Sequence, residues 1–168
     1  MTVVIIYVIF SFLLDSILSL YTPSTLGYLS YFKTIYSLIS LIIIYNYFQS
    51  HKNYLIILLI LGVLFDVVYT NTFLVNVIIF IIIYLLLQKL DYIIPNNLFT
   101  INIKALLSIY SYHIITYIIL LIANYNSYSF KVLGDILLKN TPMTIIYTTI
   151  SYLIFKKIYY QKYDRKIK

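Results

Sequence analysis

The chain has 168 residues, of which 62% are hydrophobic and only 10% are charged, and its mean hydropathy is +0.95. Because a soluble domain carries about 25% charged residues, the composition predicts an integral membrane protein with room for about six spans of roughly 20 residues. The absence of cysteine excludes disulfides, thiol catalysis and thiolate-bound metals. The net charge of +7 is typical of topology signals and anionic-lipid contact rather than of nucleic-acid binding.

Six apolar segments are predicted to be helices. The residues before the first lack the basic stretch of a cleavable signal, so we expect that helix to be retained. The predicted helices cover residues 3–20, 26–48, 54–70, 73–90, 105–123 and 143–159. The breaks between them contain the turn-forming residues Pro23 and Pro95, and Gly27 stands at the start of the second helix, beside the first break. The predicted fold class is an all-α, six-helix transmembrane bundle forming a single domain, 1–168.

The link between the fifth and sixth predicted helices contains a segment of its own, at residues 129–139. Its apolar residues recur at helical spacing, while Lys131, Asp135 and Lys139 follow one another at intervals of four. This pattern predicts a short amphipathic helix that lies in the outer interface rather than spanning the bilayer. Pro142 follows it, at a position where the first turn of a new helix tolerates proline.

Six spans place both chain ends on one side of the membrane. The basic residues divide unevenly between the two sides: Lys52, Lys89, Lys104 and the basic tail 156–168 on the side of the chain ends, Lys131 and Lys139 on the other. The positive-inside rule therefore predicts that both ends are cytoplasmic. We expect the tail to adsorb to anionic lipid, with docking of a cytoplasmic partner as the alternative.

The stretch that contains Gly62 and Asp66 has a defined inward face. The two residues are four apart in the third predicted helix and so share one side of it. Glycine allows a neighbouring helix to approach closely, and a carboxylate at membrane depth has to face protein or water rather than lipid. For Asp66 two roles stay open: a hydrogen bond that fixes helix packing, or membership of a functional site.

A polar layer is predicted in the outer half of the bundle, where it could serve as a groove for a partner. Its members are Asp15, Lys33, Asp66, Asn71 and Asn76, with His113 nearer the middle. Three of them have simpler interpretations. Asp15 is also explained as a residue solvated by headgroups, Lys33 as a side chain that extends to the interface or pairs with an aspartate, and His113 as a polar packing contact.

The sequence carries no recognisable catalytic or metal-binding motif. It has no glutamate, no HExxH zinc motif, no Gly-rich phosphate loop and no nucleophile elbow. His51 and His113 have no carboxylate beside them in the sequence to complete a metal site. We therefore expect no catalytic residues, no metal and no cofactor.

Residues 61–68, Leu-Gly-Val-Leu-Phe-Asp-Val-Val, resemble the central signature of the MreD family of rod-shape-determining membrane proteins. In that family a GxxxD on the third helix is followed by a short turn and another long apolar helix. Total length, a proline after the first helix, a longer outer link, a proline opening the last helix and a basic tail also agree. The chain departs from the family at two places. The family's small-residue turn is replaced by residues 69–71 (Tyr-Thr-Asn), and its Leu-Gly at the start of the next helix is replaced by Phe73-Leu74.

The resemblance implies a non-catalytic subunit of the bacterial cell-wall elongation machinery in the cytoplasmic membrane. Its partner would be an MreC-like bitopic protein and, through it, the cell-wall synthase and the MreB-type cytoskeleton. The family is similar in fold to the substrate-binding S components of energy-coupling-factor vitamin transporters, which gives the alternative function. The sequence favours the scaffold, because a vitamin pocket needs several convergent polar groups and the outer half has few. Those transporters also tend to carry patches of alanine on an inner-facing helix, whereas this chain has Ala105 and Ala123 and no such run.

Overall fold

A computed structural model describes residues 2–21, 35–45, 51–70, 72–124 and 129–167. All regular elements in these ranges are helical: α1 (Thr2–Tyr21), α2 (Tyr36–Tyr45), α3 (His51–Phe65) with a π-helical turn at its end (Asp66–Thr70), α4 (Val75–Ile93), α5 (Leu98–Ile122) and α6 (Phe130–Ile167). Three helical stretches are long and apolar enough to cross a membrane: His51–Thr70, Val75–Ile93 and Leu98–Ile122. The prediction of an all-helical chain is confirmed for the described residues, and these three helices have the length and hydropathy of membrane spans.

Helix α2 forms the centre of the bundle. Its residues from Tyr36 to Ile44 are all buried, and none is more than 6% exposed. The hydroxyl residues Ser37 and Ser40 are fully enclosed. A helix that is apolar on every side is covered either by other elements or by lipid, and α2 is covered by other elements. Helices α1, α3, α5 and α6 all contact α2 and supply that enclosure. The second predicted helix, 26–48, lies partly outside the described residues.

Helix α5 begins at Leu98, so the predicted start at residue 105 is wrong. Asn97 caps the helix: its side-chain oxygen accepts from the Thr100 amide at 2.9 Å, and the Thr100 hydroxyl accepts from the Asn97 amide at 2.9 Å. This reciprocal capping box satisfies two amides that the first turn leaves without helical partners. As a consequence Lys104, predicted to lie in a loop, is inside α5 and only 1% exposed.

Helix α6 is continuous from Phe130 to Ile167, so the predicted break at Pro142 is also wrong. The segment 129–139 is not a separate interfacial helix but the first part of α6. Its periodicity was only partly informative: of the predicted apolar face, Leu133 is buried, Leu137 is half-buried and Phe130 is 78% exposed, while the three charged residues of the segment are exposed. Pro142 is exposed, and contacts of the preceding turn with α5 hold the helix together although proline removes one backbone hydrogen bond.

The other described helices differ from their predicted bounds by short distances. α1 and α3 begin at Thr2 and His51, and α4 runs from Val75 to Ile93 rather than over 73–90. The late start of α4 follows from the backbone of Leu74, whose φ of 60° lies in the left-handed region and cannot belong to a right-handed helix.

Candidate functional site

Asp66 lies in the π-helical turn at the end of α3, and its side chain is directed at the beginning of α4. The residue is 2% exposed. Its Oδ1 accepts from the Asn76 amide at 3.0 Å and its Oδ2 from the Val77 amide at 3.4 Å. The first turn of α4 has no cap of its own, because Leu74 makes no side-chain cap bond. Asp66 therefore acts as a cap from another helix, and its negative charge is favourable at the positive end of the α4 dipole.

Further polar side chains complete the environment of the Asp66 carboxylate. Oδ1 also accepts from the Asn76 side-chain amide at 2.9 Å and from the Thr72 hydroxyl at 2.5 Å. The same Asn76 amide donates to Thr70 Oγ1 at 2.9 Å, and Asn76 Oδ1 accepts from the buried Tyr112 hydroxyl of α5 at 2.7 Å. We call these five residues, Asp66, Thr70, Thr72, Asn76 and Tyr112, the Asp66 network. It ties α3, α4 and α5 together.

Gly62 lies on the same face of α3 as Asp66, and α4 approaches closely there. A Cβ placed on Gly62 would stand 2.9 Å from Val77 Cα and 3.1 Å from Val77 Cγ2. Val77 is also the residue whose amide points at Asp66. The glycine and the aspartate thus fix α4 at neighbouring points, one through close packing and the other through hydrogen bonds.

Replacing Gly62 by alanine is expected to lower the free energy of unfolding by about 2 kcal/mol, because the added methyl group meets α4 backbone that cannot move aside locally. Gly134 in α6 provides a matched control, since nothing lies within 4 Å of a Cβ placed there. Gly134→Ala is expected to stabilise by up to about 1 kcal/mol through helix propensity alone. Denaturant titration of both variants in detergent checks the prediction, and equal effects would contradict the close approach at Gly62.

Asp15 of α1 makes an arrangement of the same kind with α2. Its Oδ1 accepts from the Tyr36 amide at 2.8 Å and its Oδ2 from the Ser37 amide at 2.9 Å. A small residue again stands four positions earlier, Ser11, whose hydroxyl lies 2.8 Å from the Tyr147 hydroxyl of α6. In both cases, then, a carboxylate late in one helix caps the next helix that the structure describes.

The structure brings together only part of the predicted polar layer. Asp66 and Asn76 are in direct contact, whereas Asp15 caps a different helix. The two regions are linked through Tyr69, whose hydroxyl lies 2.5 Å from Ser16 Oγ and donates to the Phe12 carbonyl at 2.7 Å. His113 is fully buried, with Nε2 2.9 Å from the side-chain nitrogen of Asn140, and joins α5 to α6. Lys33 and Asn71 lie outside the described residues.

Two polar features were not found by sequence reasoning. Lys104 donates to Asp91 Oδ1, and to Asn96 Oδ1 at 2.5 Å, in the one ion pair that the described ranges contain. Spacing along the sequence gave no signal for it. The second is a row of buried polar residues on the inward face of α6, at intervals of four, four and three: Asn140, Thr144, Thr148 and Ser151. Its helical period was visible in the sequence.

The arrangement of the two inward aspartates is suited to holding helices in place. Both oxygens of each carboxylate accept backbone amides of the following helix, as a helix cap does. Among the described residues no three histidine and aspartate side chains are grouped so as to hold a metal ion. Comparison of the chain with protein-family models, with curated proteins and with solved structures gives no match.

Proposed function

We propose that the chain is a non-catalytic, MreD-like scaffold subunit of the bacterial cell-wall elongation machinery, a six-span protein of the cytoplasmic membrane. The observation that carries the proposal is the use of the GxxxD residues. Gly62 and Asp66 meet the same turn of α4, one by a contact of 2.9 Å to Val77 Cα and the other by hydrogen bonds to amides. A motif used in this way fixes the shape of a helical hairpin, which is what a scaffold has to present to its partner.

The backbone of Leu74 adds support to the family resemblance. The family usually carries glycine at this place, at the start of the helix that follows the motif, and here the chain has leucine. The Leu74 φ of 60° nevertheless lies in the region that glycine occupies without cost. The backbone at this position would therefore accommodate the glycine that the family usually carries, although this chain has leucine there.

The positions of the charged residues support the proposed topology, with both ends cytoplasmic. Lys52, Lys89, Lys156 and Lys157 are exposed and belong to the predicted inner side. Helix α6 has 38 residues and is about 57 Å long, which exceeds a hydrocarbon layer of about 30 Å. At least one end of the helix therefore lies outside the apolar layer, and the basic end is the one that anionic headgroups attract.

The alternative, a vitamin-binding S component, receives less support from the described residues. Such a site needs polar groups that converge on a ligand. In the Asp66 network the polar groups are engaged with one another and with backbone amides. We therefore propose an MreC-like bitopic protein as the partner, with the cell-wall synthase and MreB-type filaments reached through it.

The proposal is tested by replacing the motif in cells that depend on the protein. Asp66→Asn and Gly62→Ala are expected to alter cell width and to reduce co-purification of the MreC-like chain, because the hairpin presented to that chain is distorted. Asp135→Asn, at an exposed position of α6, is the matched control and should change neither. Normal width and normal co-purification for motif variants present at normal levels would contradict the proposal, and a vitamin retained in stoichiometric amount would favour the alternative.

A further inference from the structure

Tyr69, in the π-helical turn at the end of α3, lies between two helix caps. One cap is the carboxylate of Asp66, three residues before Tyr69 in the same turn, which accepts from the first amides of α4. The other is the carboxylate of Asp15 on α1, which accepts from the amides of Tyr36 and Ser37 at the start of α2. The contacts of this one tyrosine decide whether the two capped helix starts are independent of each other.

The Tyr69 hydroxyl is bonded to α1 both as donor and as acceptor. It donates to the Phe12 carbonyl at 2.7 Å, so the Ser16 hydroxyl, 2.5 Å away, donates to it. The Tyr69 ring also packs edge to face against the Phe12 ring, with centroids 5.1 Å apart. Among the described helices α1 packs along α2 and makes no comparably extensive contact with α3 or α4. Because Ser16 is next to Asp15, the hydroxyl bonds give the Asp15 segment of α1 a direct polar contact with the Asp66 turn.

We propose that Tyr69 is a positioning residue that makes the two caps cooperative, so that loosening one of them loosens the other. Asp66 and Tyr69 share one π-helical turn, whose wider i→i+5 hydrogen bonds set the directions of both side chains together. A shift of that turn moves the Tyr69 hydroxyl, and with it the α1 backbone at Phe12 and the neighbouring Asp15 cap. The same contacts act from α1 back to the Asp66 turn, because a coupling free energy between two sites is reciprocal.

Amide hydrogen exchange of the full chain in detergent micelles tests the proposal, because the Tyr36 and Ser37 amides bond to Asp15 and so report on that cap. Asp66→Asn is expected to raise their exchange rates about threefold, a coupling of the size found between neighbouring sites in one network. Tyr69→Phe keeps the ring and removes only the hydroxyl. In that background Asp66→Asn should leave the two rates unchanged relative to Tyr69→Phe alone. Equal rises in both backgrounds would overturn the role of Tyr69, and no rise in either would overturn the coupling itself.

Tyr110→Phe is the matched control for the loss of a tyrosine hydroxyl. Tyr110 also forms a hydrogen bond between two helices, to Thr141 at 2.5 Å, but it lies at the α5–α6 contact and touches neither cap. In the Tyr110→Phe background Asp66→Asn should still raise the exchange of the first α2 amides about threefold. Loss of the effect in this background as well would indicate a general loosening of the bundle and would overturn the assignment to Tyr69.

The reverse experiment starts from the other cap. Asp15→Asn should raise the exchange of the Asn76 and Val77 amides, which bond to Asp66, and this effect should likewise be absent in the Tyr69→Phe background. An effect in one direction only would contradict a shared coupling free energy. The measurements use the chain without any partner, so their outcome is independent of the proposed function.

Discussion

Replacing Asp66 by leucine is expected to lower the free energy of unfolding by about 3 kcal/mol, since the change removes a helix cap and leaves buried donors without an acceptor. The buried donors that lose this acceptor are the amides of Asn76 and Val77, and the Asn76 side-chain amide loses one of its two acceptors and keeps Thr70 Oγ1. Leucine has the same arrangement of side-chain heavy atoms as aspartate, is larger and is fully apolar, so the loss is not a consequence of a cavity. Chemical unfolding in detergent micelles measures the effect.

Two further variants define the origin of that loss. Asp66→Asn keeps one acceptor oxygen and should cost about 1 kcal/mol, the value of a weakened cap. Asp135→Leu on the exposed side of α6 should stay within about 0.5 kcal/mol of the natural chain. Hydrogen exchange locates the effect: the Asn76 and Val77 amides should lose protection, while those in the middle of α5 keep it. Loss of protection throughout the bundle would contradict a local capping role.

The inward face of α3 could be predicted from the sequence, but its partner atoms could not. Gly62 and Asp66 are four residues apart, and helical geometry alone places them on one side. That Asp66 meets backbone amides depends on the left-handed backbone of Leu74 and on the π-helical turn after Phe65. Both depend on the conformation of the turn between α3 and α4, and no residue type in the sequence predicts them.

The two errors in helix bounds have different physical origins. The start of α5 was signalled by Asn97 and Thr100, a capping pair with the usual spacing of three, so local sequence contained the answer. The continuity of α6 was not signalled. Pro142 favours a helix start when only local structure is considered. The helix nevertheless continues through it, because Asn140 and Thr141 are hydrogen-bonded to His113 and Tyr110 of α5.

For the buried polar residues too, the sequence shows the helical period but not the pairing partners. The inward row on α6 repeats with the period of a helix and could have been recognised from Thr144, Thr148 and Ser151. The pairing of Lys104 with Asp91 could not, because it spans the turn between α4 and α5 and depends on where that turn places the two helices. A sequence pattern identifies which side of a helix is polar, whereas the partner across a turn is fixed by tertiary structure.

Removing the two partners of that ion pair is expected to have unequal effects. The Lys104 side chain is 2% exposed and the Asp91 side chain 26% exposed. Asp91→Ala leaves a buried ammonium with Asn96 as its remaining acceptor, which should cost about 3 kcal/mol. Lys104→Met leaves a carboxylate that water can reach and places an apolar chain of similar length in the core, so the cost should be about 1 kcal/mol. Unfolding of both variants in one detergent measures the difference.

The double variant tests whether the unpaired charge of Lys104 causes the loss of stability. If the cost of Asp91→Ala comes from the uncompensated charge of Lys104, then adding Lys104→Met should recover most of it, and the double variant should be more stable than Asp91→Ala alone. Lys89→Met, at an exposed lysine of α4, should stay within about 0.5 kcal/mol and controls for the loss of a positive charge in itself. Additive losses in the double variant would mean that the two side chains contribute through separate packing contacts. Stability is recovered by removing Lys104 only if its unpaired buried charge caused the loss.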